Sequence, residues 1–351
     1  MKAAQYSPRD ESRVNTIRPG MRIAFLTGAT GFVGGHVARA LVAEGWTVRA
    51  LVRDPARAGA GLLAGLPVET VAGDLSEGGL PAAALSGVEA ILHVAGLVKA
   101  RTLEDYREVN VRGTRRLAEA AARVAPDALF LQVSSIAAGG PSRGGRPVSA
   151  ADPARPLSWY GLSKREGEQV VEEVWKGPWH VIRPGVVYGP GDRGLLDYFR
   201  MAARGWVPVP AGDAKIQIIA VERAAVALAR AAGRSDLAGT TSFLSDPEPV
   251  TLRELARLIG GLPERKARLF AVPDFAVKAL GVMETAVEAV SRRSRPFNAD
   301  KAKEILAGDW LCDAEPLARA LALPPPRPLD EGLRAAWDWY RAAGWLPGRT
   351  L

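Results

Sequence analysis

Arg22-Ile-Ala-Phe-Leu-Thr27 runs directly into Gly28-Ala-Thr-Gly-Phe-Val-Gly34. The first six residues form a short apolar run of the kind that a parallel sheet buries on both faces. The glycines that follow lie between this predicted strand and an amphipathic helix predicted over Val37–Glu44, which Gly45 stops. Gly28 permits a tight turn, Gly31 lets backbone approach a pyrophosphate, and Gly34 lets helix pack closely on strand. A helix that opens here presents free N–H groups and the positive end of its dipole to an anion. Thr30, Phe32 and Val33 complete the cradle. The spacing is GxxGxxG rather than GxGxxG. Its place at the first strand–helix junction separates it from a plain glycine-rich connection.

Further strands are predicted at Thr47–Val52, Val68–Ala72, Ala90–Val94, Leu129–Val133 and His180–Ile182. Helical patterns over Leu80–Leu85, Glu104–Val124 and Trp159–Trp175 separate most of them. Alternating strands and helices imply an α/β protein with right-handed crossovers. The expected architecture is a Rossmann-like, doubly wound parallel sheet in the order 3-2-1-4-5-6. Beyond Tyr188 helices dominate, at Val221–Ala232, Leu252–Ile259, Phe275–Ala289 and Leu329–Ala343, with too little strand for a sheet of their own. The expected organisation is a flexible tail over 1–20, a dinucleotide-binding domain over 21–190, and a smaller, mainly helical substrate lobe over 191–351 with segments returning to the first domain.

Of the 351 residues, 48% are hydrophobic and 24% charged, which excludes a disordered chain. The single cysteine, Cys312, excludes a disulfide within the chain. His36, His93 and His180 are scattered, so no metal site is expected. No apolar run reaches the ~18 residues that span a bilayer, and the start lacks the apolar segment of a signal peptide. A cytoplasmic protein without a membrane partner is expected. The net charge is +8. Arginine supplies most of it and is spread along the chain, with the densest group at Arg292, Arg293 and Arg295. This fits a pocket for phosphates and a small-molecule substrate better than a nucleic-acid partner.

The end of the second strand selects the cofactor. An acidic residue there would accept from the ribose 2′-OH of NAD. Val52 holds that place and Arg53 follows, and arginine pairs with a 2′-phosphate. NADP is therefore preferred, with NAD still open because a shift of one register brings Asp54 to the ribose. Asp74 and Leu75, after the third strand, either flank the adenine or form a local cap. Tyr160 and Lys164 are four apart in a predicted helix and share one face. A nearby ammonium, together with an oxidised nicotinamide, favours the phenolate and makes the phenol a usable acid or base. Ser134 and Ser135 stand at the carboxyl end of the fifth strand, where a hydroxyl can hold a substrate oxygen.

These residues resemble the extended short-chain dehydrogenase/reductase superfamily, of the NAD-dependent epimerase/dehydratase type. The matching pieces are TGATGFVG (27–34), GDL (73–75), HVAG (93–96), NVRGT (110–114), VSS (133–135), YGLSK (160–164), RPGVVYGPGD (183–192) and the closing helix within 329–346. The resemblance implies that Tyr160 is the general acid/base, Lys164 its partner, and Ser135 rather than Ser134 the group that bonds the reacting oxygen. It also implies that Ala95 and Gly96 line the cofactor, that Pro184 and Gly185 touch the nicotinamide amide, and that Asn110 steadies a neighbouring helix. His93 reads as structural. Family members often carry a tyrosine at the place of Gly139, so the chain departs there from sugar-nucleotide epimerases. A homodimer is compatible with the family.

Three activities fit. The first is a reductase or dehydrogenase that exchanges hydride with a ketone or secondary alcohol. The missing acid at Val52 and the apolar Phe275–Val290 favour it. The second is a nucleotide-sugar epimerase or dehydratase with tightly held NAD. The third is a non-catalytic NADP-sensing scaffold, which the intact Ser135, Tyr160 and Lys164 oppose. Trp337, Trp339 and Trp345 read as packing, and Cys312 as a buried thiol.

Overall fold

The structure, a computed structural model, describes residues 22–59, 61–291 and 297–347. The expected N-terminal tail and the cluster Arg292, Arg293 and Arg295 lie outside the described residues. Six strands follow the predicted runs: β1 (Ile23–Thr27), β2 (Thr47–Val52), β3 (Val68–Ala72), β4 (Ala90–His93), β5 (Leu129–Val133) and β6 (Trp179–Pro184). They pair in parallel in the order 3-2-1-4-5-6. The doubly wound sheet is thus as expected, with one addition. Thr240–Leu244 pairs parallel to β6 and makes a seventh strand at the edge. Its first residues are polar and partly exposed, as an edge strand allows, so the apolar run that marks the inner strands is missing.

Alternation along β1 sends Ala24 and Leu26 into one core and Ile23 and Phe25 into the other. On the first face lies helix α1 (Phe32–Ala43), with Val37 and Leu41 buried and Ala224 and Leu228 of the helix Val221–Ala231 packed on the same cluster. On the second face Leu117, Ala121, Val171 and Trp175 come from the helices Gly113–Val124 and Trp159–Val174. A third core joins Phe199, Val207, Ile259, Trp337 and Tyr340 from the C-terminal half. Trp339 and Trp345 meet edge-on at 4.9 Å within this packing. Cys312 is buried. Short strands in this half form three two-stranded pairs rather than a second large sheet.

The long helix expected over Glu104–Val124 is divided. An α-turn at Leu103–Arg107 passes through a π-helical stretch, Glu108–Arg112, before Gly113–Val124. Leu80–Leu85 narrows to a 3₁₀ turn at Ala82–Leu85.

Candidate active site

The turn after β1 is fixed by contact. Gly28 has φ +75°, and a Cβ on it would lie 2.7 Å from the Ala95 nitrogen. A Cβ on Gly34 would collide with the Gly28 carbonyl. The Gly31 N–H donates to that carbonyl at 2.9 Å and closes the turn. No side chain caps α1 at Gly31, and no acidic residue occupies its first turn. The N–H groups of Phe32, Val33 and Gly34 thus open a helix start shaped for an anion, and these residues fit the pyrophosphate of a dinucleotide. His36 Nε2 donates to the Pro190 carbonyl at 2.9 Å and ties α1 to the loop after β6.

His93 is held at both nitrogens. Thr114 donates its hydroxyl proton to the Asn110 carbonyl, so its oxygen accepts from His93 Nε2 at 3.0 Å. Nδ1 must then accept from Thr27 Oγ1, at 2.8 Å, while that oxygen accepts from the Ala95 N–H. Burial and the Lys164 charge push the imidazole down to about 3, so it is neutral. The chain of bonds fixes Ala95 beside Gly28. His93 is structural, as read from the sequence.

At the ends of β2 and β3 the charges separate. Arg53 is exposed, whereas the Asp54 carboxylate accepts from the Ala56 and Arg57 N–H groups and caps a short helix. The Asp54 carboxylate is thus engaged by the start of that helix. Asp74 accepts from Ser76 N at 2.9 Å and from Ser76 Oγ. Those bonds, aided by Arg53 and Arg116, hold its carboxyl below the usual range. Asp74 thus bonds locally to Ser76 and lies within the influence of Arg53, which leaves contact with an adenine open. The Leu75 carbonyl accepts from Arg116.

Ser135, Tyr160 and Lys164 come together at the end of β5. Ser158 caps the helix Trp159–Val174 by accepting from Gly161 N at 2.9 Å, which sets the direction of Tyr160 and Lys164 one turn apart. Lys164 Nζ donates to the Val133 carbonyl at 2.7 Å. The Ser135 hydroxyl accepts from the Ala137 N–H at 3.2 Å and stands near enough to the Tyr160 phenol to favour its ionised form. A Cβ on Gly96 would lie 3.3 Å from Asn110 Oδ1 and 3.5 Å from Lys164 Nζ, so Gly96 adjoins the amine. Burial pushes the phenol up to about 12, against the influence of the nearby Ser135 hydroxyl. Burial also pushes the Lys164 amine down to about 8, against the pull of Glu168. In the protein alone desolvation dominates the phenol, and the Lys164 ammonium is turned to the Val133 carbonyl.

Ser134 is separated from Ser135 by its partner. It donates to Glu168, which also receives Arg183 Nε at 2.8 Å and Nη2 at 2.7 Å. Glu168 and Arg183 are both buried, and bidentate bonding satisfies them. Asn110, in the π-stretch, accepts from Leu97 N at 2.7 Å and donates to Leu97 O at 3.0 Å and to Ser163 Oγ at 2.9 Å. It locks the strand end after Gly96 to the helix of Tyr160. A π-turn at such a place widens the helix for one inward side chain.

Two residues were not legible beforehand. From the helix Ala299–Ile305, Asp300 Oδ2 accepts from Trp159 N at 2.8 Å, and Glu304 Oε1 accepts from Ser158 Oγ at 2.5 Å. Both carboxylates are buried. They complete the N-terminus of the helix that bears Tyr160 and Lys164 from more than a hundred residues away. Pro184 ends β6, and the Gly185 N–H donates to Leu244 O at 2.9 Å. A Cβ on Gly185 would lie 2.7 Å from Gln217 O and Ser245 Oγ. Gly139 is buried against Phe243, whose ring would stand 2.9 Å from a Cβ there. Lys99, Arg193, Arg200 and Trp345 line a recess between the loop after β6 and the C-terminus.

A parallel sheet in this order, with a glycine turn at its head, defines the doubly wound dinucleotide-binding class. Residues 24–240 match the NAD dependent epimerase/dehydratase family, and the chain belongs to that family, within the extended short-chain dehydrogenase/reductases. It is 39% identical over 332 residues to the ceramide reductase of Caulobacter vibrioides, covering 93% of this chain and 96% of that protein. It is 30% identical over 268 residues to the 4-hydroxy-2-methyl-3-oxo-4-farnesyl-3,4-dihydroquinoline-1-oxide ketoreductase of Stigmatella aurantiaca, covering 73% and 77%. The UDP-glucuronic acid 4-epimerase of Bacillus cereus, solved with UDP-glucuronic acid and NAD, shares the fold with a TM-score of 0.72 at 18% identity, over 92% of this chain and 100% of that one. The chain is an enzyme of this family. Among the described residues no helix is long and apolar enough to cross a membrane. No group of three or more His, Cys, Asp or Glu among them could hold a metal ion.

Proposed function

We propose that the protein is an NADP-preferring reductase that converts a ketone to a secondary alcohol. The observation that carries this reading is the meeting of Ser135, Tyr160 and Lys164 at the end of β5, with the phenol kept protonated by desolvation. A protonated phenol is the form needed to give a proton to a carbonyl oxygen. Ser135 holds that oxygen and polarises it, and Lys164 lies one helical turn behind. Gly28, Thr30, Gly31, Phe32, Val33 and Gly34 hold the pyrophosphate. Ala95, Gly96, Pro184 and Gly185 line the nicotinamide half. Arg53 meets the 2′-phosphate, and Asp74 and Leu75 border the adenine. The bound nicotinamide supplies the hydride. Residues 191–351 serve as the substrate-binding part and exclude water from the reacting carbon. The relative named a ceramide reductase directs the search for the carbonyl towards long-chain lipid ketones.

The test follows NADPH consumption by purified enzyme with a ceramide-type ketone. Steady net consumption with freely exchanging NADPH is expected. Copurified, tightly held NAD, with UDP-sugar turnover and no net consumption, would replace the reductase by the epimerase.

A further inference from the structure

The helix Asp274–Ser291 carries its large apolar side chains outward. Phe275 is 74% exposed, Val282 64%, Met283 55% and Val290 87%, with exposed Leu280 and Val287 beside them. Positions 275, 279, 282, 283, 286 and 290 recur at helical spacing and make one stripe. The helix has 18 residues and is about 27 Å long. Its protein-facing side holds the buried Val277 together with small or polar groups. Gly281 lies on Ala299 and Ala302. Glu288 is buried and accepts from Asn298 Nδ2 at 3.3 Å. The preceding strand, Arg268–Val272, pairs with Trp206–Pro210 and adds exposed Leu269, Phe270 and Trp206. An exposed apolar stripe of this kind marks a docking face.

Charge selects the occupant. Exposed Arg265, Lys266 and Arg268 precede the helix and exposed Lys278 lies on it, against exposed Glu264 and Asp274 and the half-buried Glu284. A second copy meeting this face about a two-fold axis would bring one basic rim towards another. A lipid surface would pair those side chains with phosphates while the aliphatic stripe enters the boundary between headgroups and acyl chains.

We propose that this face docks on bilayers that contain anionic phospholipid, lying on the surface without crossing it. The sequence-based expectation of no membrane partner rested on the lack of a spanning segment, which a surface helix does not need. The docked helix leans on Ala299–Ile305, whose Asp300 and Glu304 cap the helix of Tyr160, so the face adjoins the site.

Flotation of the full chain with vesicles of phosphatidylglycerol and phosphatidylcholine, against phosphatidylcholine alone, tests this. Binding to the anionic vesicles at least ~10-fold above the neutral ones, and weakened by high salt, is expected. Val282→Asp with Met283→Asp lowers it at least ~10-fold, with circular dichroism unchanged because both side chains are exposed. Arg268→Glu with Lys278→Glu leaves the apolar stripe intact and flattens the salt dependence. Equal binding to both vesicles, undiminished binding by the aspartate variant, or recovery of the protein free of both vesicles overturns the proposal. A dimer in sedimentation that the aspartate variant dissociates, without vesicle binding, assigns the face to a second copy instead.

Discussion

At Gly34 there is no room for a single methyl group, because the Gly28 carbonyl occupies the place. At Val290 the side chain is 87% exposed and free of close packing among the described residues. The first region is a turn whose backbone contacts leave one residue type; the second is a helix whose outer stripe the fold does not require to be apolar. Tight packing explains the glycines without reference to any ligand, whereas the aliphatic stripe has no explanation in folding. The two regions therefore separate what the fold demands from what an outside surface demands.

The largest effect that would sharpen this contrast belongs to the turn. Gly34→Ala should cost about 3 kcal/mol or more, because rigid backbone cannot yield, and thermal unfolding with and without NADP would show it. A variant as stable as the parent would mean that the turn is looser than described. Tyr160→Phe should lower turnover at least ~100-fold while cofactor affinity changes by a few-fold at most. Unaltered turnover would remove the phenol from the reaction. The reductive rate should also fall as pH rises through about 8, because the Lys164 amine is charged below that value and neutral above it. A kcat/KM profile flat well beyond pH 9 would detach the amine from catalysis. Arg53→Ala should weaken NADP by about 10-fold and leave NAD nearly unchanged. Equal weakening of both would end the 2′-phosphate assignment. The smallest effect should come from the outer helix: Val282→Asp should shift stability by no more than ~0.5 kcal/mol. A large loss would show that the stripe is packed, and the contrast would fail.

The sheet could be read from the sequence because its inner strands are buried on both faces and so are continuous apolar runs, as in Ile23–Thr27 and Leu129–Val133. The edge strand Thr240–Leu244 escaped because water tolerates polar residues on its first half. Ser135, Tyr160 and Lys164 were legible because their spacing and their place after a strand are local properties. Asp300 and Glu304 were not, since a carboxylate that caps a distant helix leaves no local pattern. The rise of the phenol was also invisible, because desolvation depends on neighbours that only the folded chain supplies. Sequence did flag Phe275–Val290 as apolar; it could not say that the apolar side faces outward.

The two carboxylates that finish the Tyr160 helix carry an evolutionary consequence. A recombination that exchanged the last third of this chain would remove the groups that finish the helix bearing the phenol and the amine, so the incoming piece would have to bring equivalent acceptors with it.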